Sequence, residues 1–485
     1  MSSLLKGGRL KSTRADVVNF ISSLNDDRRI ASATVLVNEA HVLALERCGA
    51  IKQPVFRKIL RALHALEKHK FSSRRAEDVH VLIEDFVTRQ TGQAVGGFMH
   101  LGKSRNDQVA TAVRMTLRGE MLALGKLLLS FELSIIAIAV KHANAAFPGY
   151  THLQPAQPIS FGHYLIANCF SFIRDSERLL EAYSRVNLSP MGAAALAGTS
   201  FSLNRAFIAK VLGFDGTVEA SLDAVGGRDF ALEALSVFAL TASDLSRIAS
   251  DLLFYSSAEV GLVKIPDEFA STSSIMPQKK NLDPLELIRA KCGKVAANFN
   301  AALSLMHGLT SGYNLDYQEL TPLLWQSIDE LSSCLRILSV LISKIEPSEH
   351  VAERDYLQFT AATEIANLLV RIENVPFRTA HQKVGLLVRT AIRAGKSLKQ
   401  MGQTDWETAL GFRLKPRTFG NLRRAFDLDG QISTYRTAGS PNPRETLRLI
   451  ALAKHRCEKL TAEHKRRSNK LELSMRSLRR ATAGT

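Results

Sequence analysis

Two adjacent serines, a Met-Pro break, two lysines and an asparagine fall within the eleven residues Thr272 to Leu282, TSSIMPQKKNL. A buried helix is not built from such residues. A flexible stretch of this kind can carry the Ser273 or Ser274 hydroxyl over a substrate carbon while Lys279 stabilises charge developing on a carboxylate. A cation and amides such as that of Asn281 around the carboxylate are what proton removal from its α-carbon requires. Serine is a weak base, so this role needs surroundings organised around the transition state. Lys280 reads as a solvated neighbour. Two further polar segments interrupt the chain, HLGKSRNDQVAT at His100 to Thr111 and GYTHLQPAQP at Gly149 to Pro158. Arg105 can pair in bidentate fashion with a carboxylate and Asn106 can add directional selection, although both serve equally as caps of the next helix. The His152 imidazole, beside Thr151, can exchange protons near neutral pH, and an isolated histidine can as well be structural.

The elements that must position these groups are helical. Apolar periodicity runs through Asp107 to Ala143, Gly162 to Val186, Phe230 to Ser257, Pro284 to Thr310 and Pro322 to Ile345, each long enough for a bundle. Short polar residues at Asn25-Asp26-Asp27 suit a helix cap, and Glu77, Asp78 and His80 stand near another helix start. Pro155 to Pro158 reads as a turn. Strand signals are brief, and no strand-GxGxxG-helix or GxxxxGK[ST] pattern accompanies the Gly-Gly pairs, which disfavours an α/β nucleotide fold. The expectation is an all-α chain of three units: an N-terminal helical unit at 1–110, a central bundle with the catalytic loop at 111–346, and a C-terminal helical unit with a basic tail at 347–485.

A chain of 485 residues, 46% hydrophobic and 22% charged, can bury a large core. Its five cysteines are scattered without close pairs or metal-like spacing, which favours a reduced compartment and implies no zinc site. No signal peptide is evident, and no segment approaches an uninterrupted apolar run of about 18 residues. A soluble cytoplasmic protein is expected. The net charge of +17 concentrates partly in Lys465 to Arg480, with seven Lys or Arg residues against one glutamate. A solvated helix face explains this run better than nucleic-acid binding, since zinc-finger spacing and RNA-module patterns are missing. The same field would draw in a multiply carboxylated small molecule.

Taken together, KGGRL at Lys6 to Leu10, SLDAVGGRDF at Ser221 to Phe230, the TSSIMPQKKN loop, VPFRTAH at Val375 to His381 and TAGSP at Thr437 to Pro441 resemble the fumarase/aspartase superfamily, most closely its argininosuccinate lyases. The resemblance covers nearly the whole chain. It implies a three-domain, predominantly helical homotetramer with a long central helical bundle and active sites shared between subunits. It also implies a C–N lyase that releases fumarate from an N-substituted L-aspartate, with argininosuccinate to L-arginine plus fumarate as the leading reaction. By the same resemblance Ser273 is the general base, Lys279 and Asn281 stabilise the enediolate-like intermediate, and His152 is the catalytic histidine oriented by Glu286. Arg105, Asn106, Thr151 and Ser274 match the set that holds the fumaryl carboxylates, and Ser23, Asp27, Arg228, Tyr313 and Gln318 match the leaving-group side. No metal or other cofactor is implied.

Five positions depart from the family pattern. Leu101 stands where Thr is usual, Lys103 where Arg is common, Ala220 in a frequent Asn position, Thr272 where the loop usually has Gly, and Thr321 where related argininosuccinate lyases commonly place Lys. The elimination machinery is better preserved than the rim that selects the leaving group. A lyase acting on aminopolycarboxylates of the ethylenediamine-disuccinate type is therefore a second expectation. A noncatalytic structural homologue is a third.

Overall fold

The computed structural model describes residues 13–66, 76–349, 351 and 354–483, so the KGGRL segment lies outside the described residues. Eight helices carry the argument: α1 (Ala31–Arg47), α2 (Val79–Thr91), α3 (Arg105–Lys141), α4 (Phe161–Val186), α5 (Asp229–Ser256), α6 (Asp283–Met306), α7 (Tyr317–Ile342) and α8 (Pro443–Ala483). At 1.5 Å per residue, α3 is about 55 Å long. Helix α3 packs on α4 and α7, α5 packs on α4, α6 and α7, and α6 packs on α7. The seam is filled by fully buried side chains such as Phe131, Phe172, Leu235, Leu245, Leu331 and Leu338. Phe131 and Phe172 meet edge to face at 4.9 Å. Each such side chain contributes about 1.5–3 kcal/mol on burial. The expected helical runs are all present. Helix α7 starts five residues before the proline that was read as its beginning, because Pro322 is accommodated within the opening turns.

Helix α3 is long and apolar enough to cross a bilayer by length and composition, against the expectation that no segment approaches a membrane span. Half of its apolar window is buried by packing within this chain. Phe131, Ile135 and Ala139 are fully buried, and two buried arginines on the same helix donate through Nη1, Arg114 to the Arg185 carbonyl at 2.7 Å and Arg118 to Asn187 Oδ1 at 2.7 Å.

The expected unit at 347–485 divides by packing. Residues between Ala361 and Phe426 form their own core around the fully buried Trp406, whereas α8 returns to lie along α3 and α4. Its inner face explains the return, since Ala453, Cys457 and Leu478 are fully buried in the main core and Arg456 pairs with Glu177 of α4 at 2.6 Å. The expected break at residue 110 falls inside α3, whose first turn begins at Arg105.

Strand β1 (Ala146–Thr151) and strand β2 (Gln154–Ser160) form an antiparallel hairpin where the prolines had suggested a turn. Pro148 stands opposite Pro158, which an isolated two-stranded ribbon tolerates because its outer N–H groups need no partner. Phe147 in β1 packs on Phe161 of α4 at 5.1 Å and on Tyr255 of α5 at 5.1 Å, and Tyr150 meets Phe254 at 5.2 Å. This aromatic base fixes the hairpin to the bundle and leaves its tip projecting.

A buried carboxyl joins α3, α4 and α8. Glu132 accepts hydrogen bonds from Ser176 Oγ at 2.5 Å and Cys457 Sγ at 3.1 Å, and burial raises its pKa from 4.5 to about 7. Because the folded state holds this proton more tightly than the unfolded state, the associated stability is complete below about pH 4.5 and is lost as pH rises through about 7. Glu132→Gln should therefore raise unfolding stability by about 1–3 kcal/mol at pH 8 and add little at pH 4. Denaturant unfolding of both proteins at the two pH values measures this difference.

Candidate active site

The N-terminal ends of four helices converge on one cavity of about 100 Å³. The start of α2 supplies Glu77, Asp78 and His80, the first turn of α3 supplies Arg105 and Asn106, the start of α5 supplies Arg228, and the start of α7 brings Gln318 and Thr321, with Tyr313 just before it. Ser23 and Asp27 close the cavity from the segment before α1. Helix N-termini carry partial positive charge and orphan N–H groups, so anionic side chains gather there naturally.

Asp27 is buried and accepts from Ser23 Oγ at 2.7 Å and from the Val79 N–H at 3.3 Å. Ser23 occupies a helix N-cap position, yet its hydroxyl turns to Asp27 rather than to the helix backbone. Burial, reinforced by the neighbouring Asp78 charge and opposed by the Ser23 hydrogen bond, lifts the Asp27 pKa to about 6. Arg105 donates through Nη1 to Asp78 at 2.7 Å and to Glu77 at 3.2 Å, leaving Nε and Nη2 without those partners. Arg228 is buried, donates to the Val225 and Gly227 carbonyls at 3.0 and 2.9 Å, and lies over the Tyr317 ring at 4.3 Å. Burial lowers its pKa to about 10. Tyr313 meets the Tyr317 ring edge-on at 5.6 Å, and Gln318 Nε2 donates to the Ile21 carbonyl at 3.1 Å, tying α7 to the Ser23 segment. Asn106 Nδ2 donates to the Ala195 carbonyl at 3.1 Å.

Ser23, Asp27, Arg105, Asn106, Arg228, Tyr313 and Gln318 are thus brought together within one chain. Thr151, His152, Ser273, Ser274, Lys279, Asn281 and Glu286 are not among the residues lining this cavity. The loop carrying Ser273 is closed by β3 (Ser271–Thr272) pairing antiparallel with β4 (Lys280–Asn281). Ser273 Oγ accepts from the Ile275 and Met276 N–H groups at 3.3 and 3.1 Å, which ties the hydroxyl into the loop's own turn. The two lysines separate clearly: Lys280 anchors the loop to the Ile265 carbonyl at 2.5 Å and to Asp267 at 2.7 Å, while Lys279 is exposed with no side-chain partner among the described residues. Glu286 is exposed in the first turn of α6.

His152 and Leu153 form the two-residue tip of the β1–β2 hairpin, with φ of 54° and 57°. Two consecutive left-handed residues suit Asn-Gly and are strained for His-Leu. Both are also exposed, so burial does not account for their choice.

The departures from the family pattern resolve individually. The Leu101 carbonyl accepts from His41 Nε2 at 2.8 Å, and Lys103 is buried behind the cavity, bonded to Asn38 and to Gln108 Oε1 at 3.4 Å. Thr272 lies in extended backbone, where a β-branched residue fits. Ala220 is the N-cap of the Ser221–Gly226 helix and offers it no side-chain acceptor. Thr321 does line the cavity, with its hydroxyl turned back to the Tyr317 carbonyl at 3.5 Å. Sequence reasoning missed the cavity roles of Glu77, Asp78 and His80. Their sequence signal is that of a helix start, and Asp78 is the N-cap of α2, accepting from the Val81 N–H at 2.7 Å.

A family profile described as "Lyase" matches residues 22–297, and one described as "Argininosuccinate lyase C-terminal" matches residues 359–431. The chain is 42% identical over 479 residues to the argininosuccinate lyase of Methanothrix thermoacetophila, covering 98% of each protein. It is 36% identical to that of Methanocaldococcus jannaschii over 95% of this chain and 96% of the relative. Among solved structures, EDDS lyase in complex with formate superposes with a TM-score of 0.89 at 29% identity, covering 94% of this chain and 92% of that one. A class II fumarase from Schistosoma mansoni shares the fold at a TM-score of 0.71 and 16% identity, over 83% and 90% of the two chains.

The hairpin tip provides a direct test of strain. Leu153→Gly removes the Cβ conflict at positive φ and should stabilise the fold by about 0.5–1 kcal/mol, the gain being trimmed by the greater unfolded-state freedom of glycine. Thermal and denaturant unfolding of the variant check this expectation.

Proposed function

The chain belongs to the argininosuccinate lyases of the fumarase/aspartase superfamily, and from that premise we propose how its residues divide the work of a carbon–nitrogen lyase that splits argininosuccinate into L-arginine and fumarate. The observation that carries the reading is the acid-walled cavity. Asp26, Asp27, Glu77 and Asp78 line it beside Ser23, Tyr313 and Gln318, a setting that suits a guanidinium with polar groups around it. Glu77 and Asp78 are already engaged by Arg105 and Asp26 is exposed, which leaves the buried Asp27, held by Ser23, as the carboxylate we assign to the substrate cation.

In this scheme Ser273 removes the proton from the carbon next to the distal carboxylate. Lys279 and Asn281 stabilise the enediolate-like charge that forms, and the electron pair then becomes the fumarate double bond as the C–N bond breaks. The leaving nitrogen takes the bonding pair and a proton, with His152, oriented by Glu286, organising that transfer. Thr151, Ser274, Asn106 and the free N–H groups of Arg105 hold the fumaryl carboxylates. Arg228, packed on Tyr317, offers its charge toward the amino-acid end. The scheme uses side chains alone.

The loop and the hairpin tip lie outside the cavity of their own chain, which supports a site completed by other copies of the protein. We infer a homotetramer with shared active sites acting on a small multiply carboxylated substrate in the cytoplasm. An aminopolycarboxylate substrate is not favoured, since the chain is more similar to argininosuccinate lyases, at 42% identity, than to EDDS lyase, at 29%. A noncatalytic homologue is not favoured either, because Ser273, His152, Lys279 and Asn281 are all present.

Fumarate formation from argininosuccinate, followed by absorbance with product masses verified, tests the reaction. Ser273→Ala should lower kcat by about a thousandfold or more with a small change in KM, as expected when a group acting in the transition state is removed. Asp27→Asn should also be severely impaired. Co-refolding these two inactive variants should restore a measurable fraction of wild-type activity, because a mixed assembly contains some sites in which both residues are intact. Failure of any mixture to regain activity would count against sites shared between copies.

A further inference from the structure

The short strap from His100 to Ser104 leads into the first turn of α3, which carries Arg105 and Asn106. Three side-chain contacts tie it to the helices behind the cavity. His100 Nδ1 lies 3.0 Å from Glu84 Oε2 of α2, His41 Nε2 of α1 donates to the Leu101 carbonyl at 2.8 Å, and Lys103 Nζ donates to Asn38 Oδ1 of α1. Gly102, at φ of 70°, makes the left-handed turn between the last two contacts. Lys103 reaches further than the others, since Nζ also donates to Gln108 Oε1 of α3 at 3.4 Å. Its ammonium therefore bridges α1 to the opening turns of α3.

The acceptors are arranged for this bridge. Asn38 is 1% exposed and donates through Nδ2 to the Thr34 carbonyl at 2.9 Å, which leaves Oδ1 to face the strap. Lys103 is itself buried, and both of its acceptors are neutral amides. Burying an ammonium with no carboxylate bonded to it lowers stability relative to an apolar side chain. A charge retained on those terms, two residues before Arg105, is accounted for by what it holds in place. Ser104 and Asp107 cap α3 from within the helix, whereas Lys103 fixes its start to a neighbouring helix.

Resting on the argininosuccinate reading, we propose that Lys103 is a positioning residue: its ammonium pins the start of α3 to α1, so that Arg105 and Asn106 stand where the fumaryl carboxylates bind. Lys103 does not line the cavity, and its positive charge behind the wall adds to the attraction for those carboxylates.

Burial lowers the Lys103 pKa to about 8, against the opposing charges of Glu84 and Asp107. The other titratable groups around it are His41 of α1, His80 and Glu84 of α2, His100 of the strap and Asp107 of α3. Burial pushes His41 down to about 3 and His80 to about 4, and lifts Asp107 to about 6. For Glu84, burial is outweighed by the His100 hydrogen bond, and its pKa lies below the usual value. These four complete their titration below about pH 7.5 and Arg105 stays charged, whereas the Lys103 charge is lost as pH rises through about 8. A neutral amine makes weaker hydrogen bonds than an ammonium, so carboxylate binding should weaken on the alkaline side.

The test uses the assembled full-length enzyme, with fumarate and L-arginine binding followed by calorimetry and KM taken from argininosuccinate turnover. Fumarate carries only carboxylates, which titrate well below neutrality, so an alkaline change in its affinity belongs to the protein. Lys103→Met should weaken fumarate binding about tenfold at neutral pH and raise KM by a similar factor, with arginine affinity within about twofold of wild type. Wild-type fumarate affinity should fall about fivefold between about pH 7 and about pH 9.5. Lys103→Arg, which keeps its charge throughout, should retain the neutral-pH affinity and abolish most of that fall. Unchanged fumarate binding in Lys103→Met would overturn the inference, as would equal losses of fumarate and arginine affinity, which would mark a general structural role. An alkaline fall that persists in Lys103→Arg would overturn it too, and this comparison stands even where Lys103→Met folds poorly. A wild type that shows the expected behaviour toward fumarate but releases none from argininosuccinate would overturn the substrate reading and leave the positioning role standing.

Discussion

One carboxylate holds the entrance of the longest central helix. Asp107 is fully buried, and its Oδ1 accepts from the Ser104 N–H at 3.0 Å in a capping box with the Ser104 hydroxyl. Its Oδ2 accepts from the Gly192 and Ala194 N–H groups at 3.0 and 2.9 Å, across from another part of the chain. Three constraints follow from this single side chain: the start of α3, the course of the 190–195 turn, and the placement of Arg105 and Asn106 on the first helical turn. The burial that makes Asp107 effective also raises its pKa to about 6, so the arrangement depends on those backbone donors to keep a carboxylate there. Removing it would leave orphan N–H groups at the helix start and in the turn at once.

The same logic of converging helix ends shapes the cavity's electrostatics. N-termini attract anions, and the chain has placed acids at several of them, with Asp78 capping α2 and Asp27 set against its first turn. Asp78 and Glu77 then recruit Arg105 as a partner, while the buried Asp27 is held by hydrogen bonds and forms no ion pair among the described residues. On the proposed reading, the guanidinium of the substrate would complete the cavity wall. Selectivity arises here from which charges are already paired, a property of three-dimensional placement rather than of how many charges the sequence contains.

A division between rigid and projecting parts runs through the whole molecule. The cavity residues sit on helix starts locked by packing, whereas His152 and the Ser273 loop project from a hairpin and a short strand pair. The hairpin is rigid at its aromatic base and strained at its tip, where two left-handed residues hold His152 away from its own chain's core. The loop is anchored at its ends by Lys280 and by the β3–β4 pairing, which leaves Lys279 free. Groups presented outward in this way are suited to completing a site on a neighbouring copy.

The chain's own pattern determined the helical class, the central helices to within a few residues, the polar loop at 272–282 as a break between helices, and the lyase family, because apolar periodicity and the loop motifs are local features that survive without coordinates. It also carried the identities of Ser23, Asp27, Arg228, Tyr313 and Gln318, though from resemblance rather than spacing, since they lie far apart in sequence. Only the tertiary structure decided that α8 returns to the main bundle, that the proline-rich segment is a hairpin with His152 at a strained tip, and that Lys280 anchors while Lys279 stays free. It alone gave Glu77, Asp78 and His80 a place in the cavity. A residue's type and neighbours set what it can bond, but which partner consumes that capacity depends on contacts between segments far apart in the chain, such as Arg29 with Asp329, 300 residues away, and no local pattern encodes those.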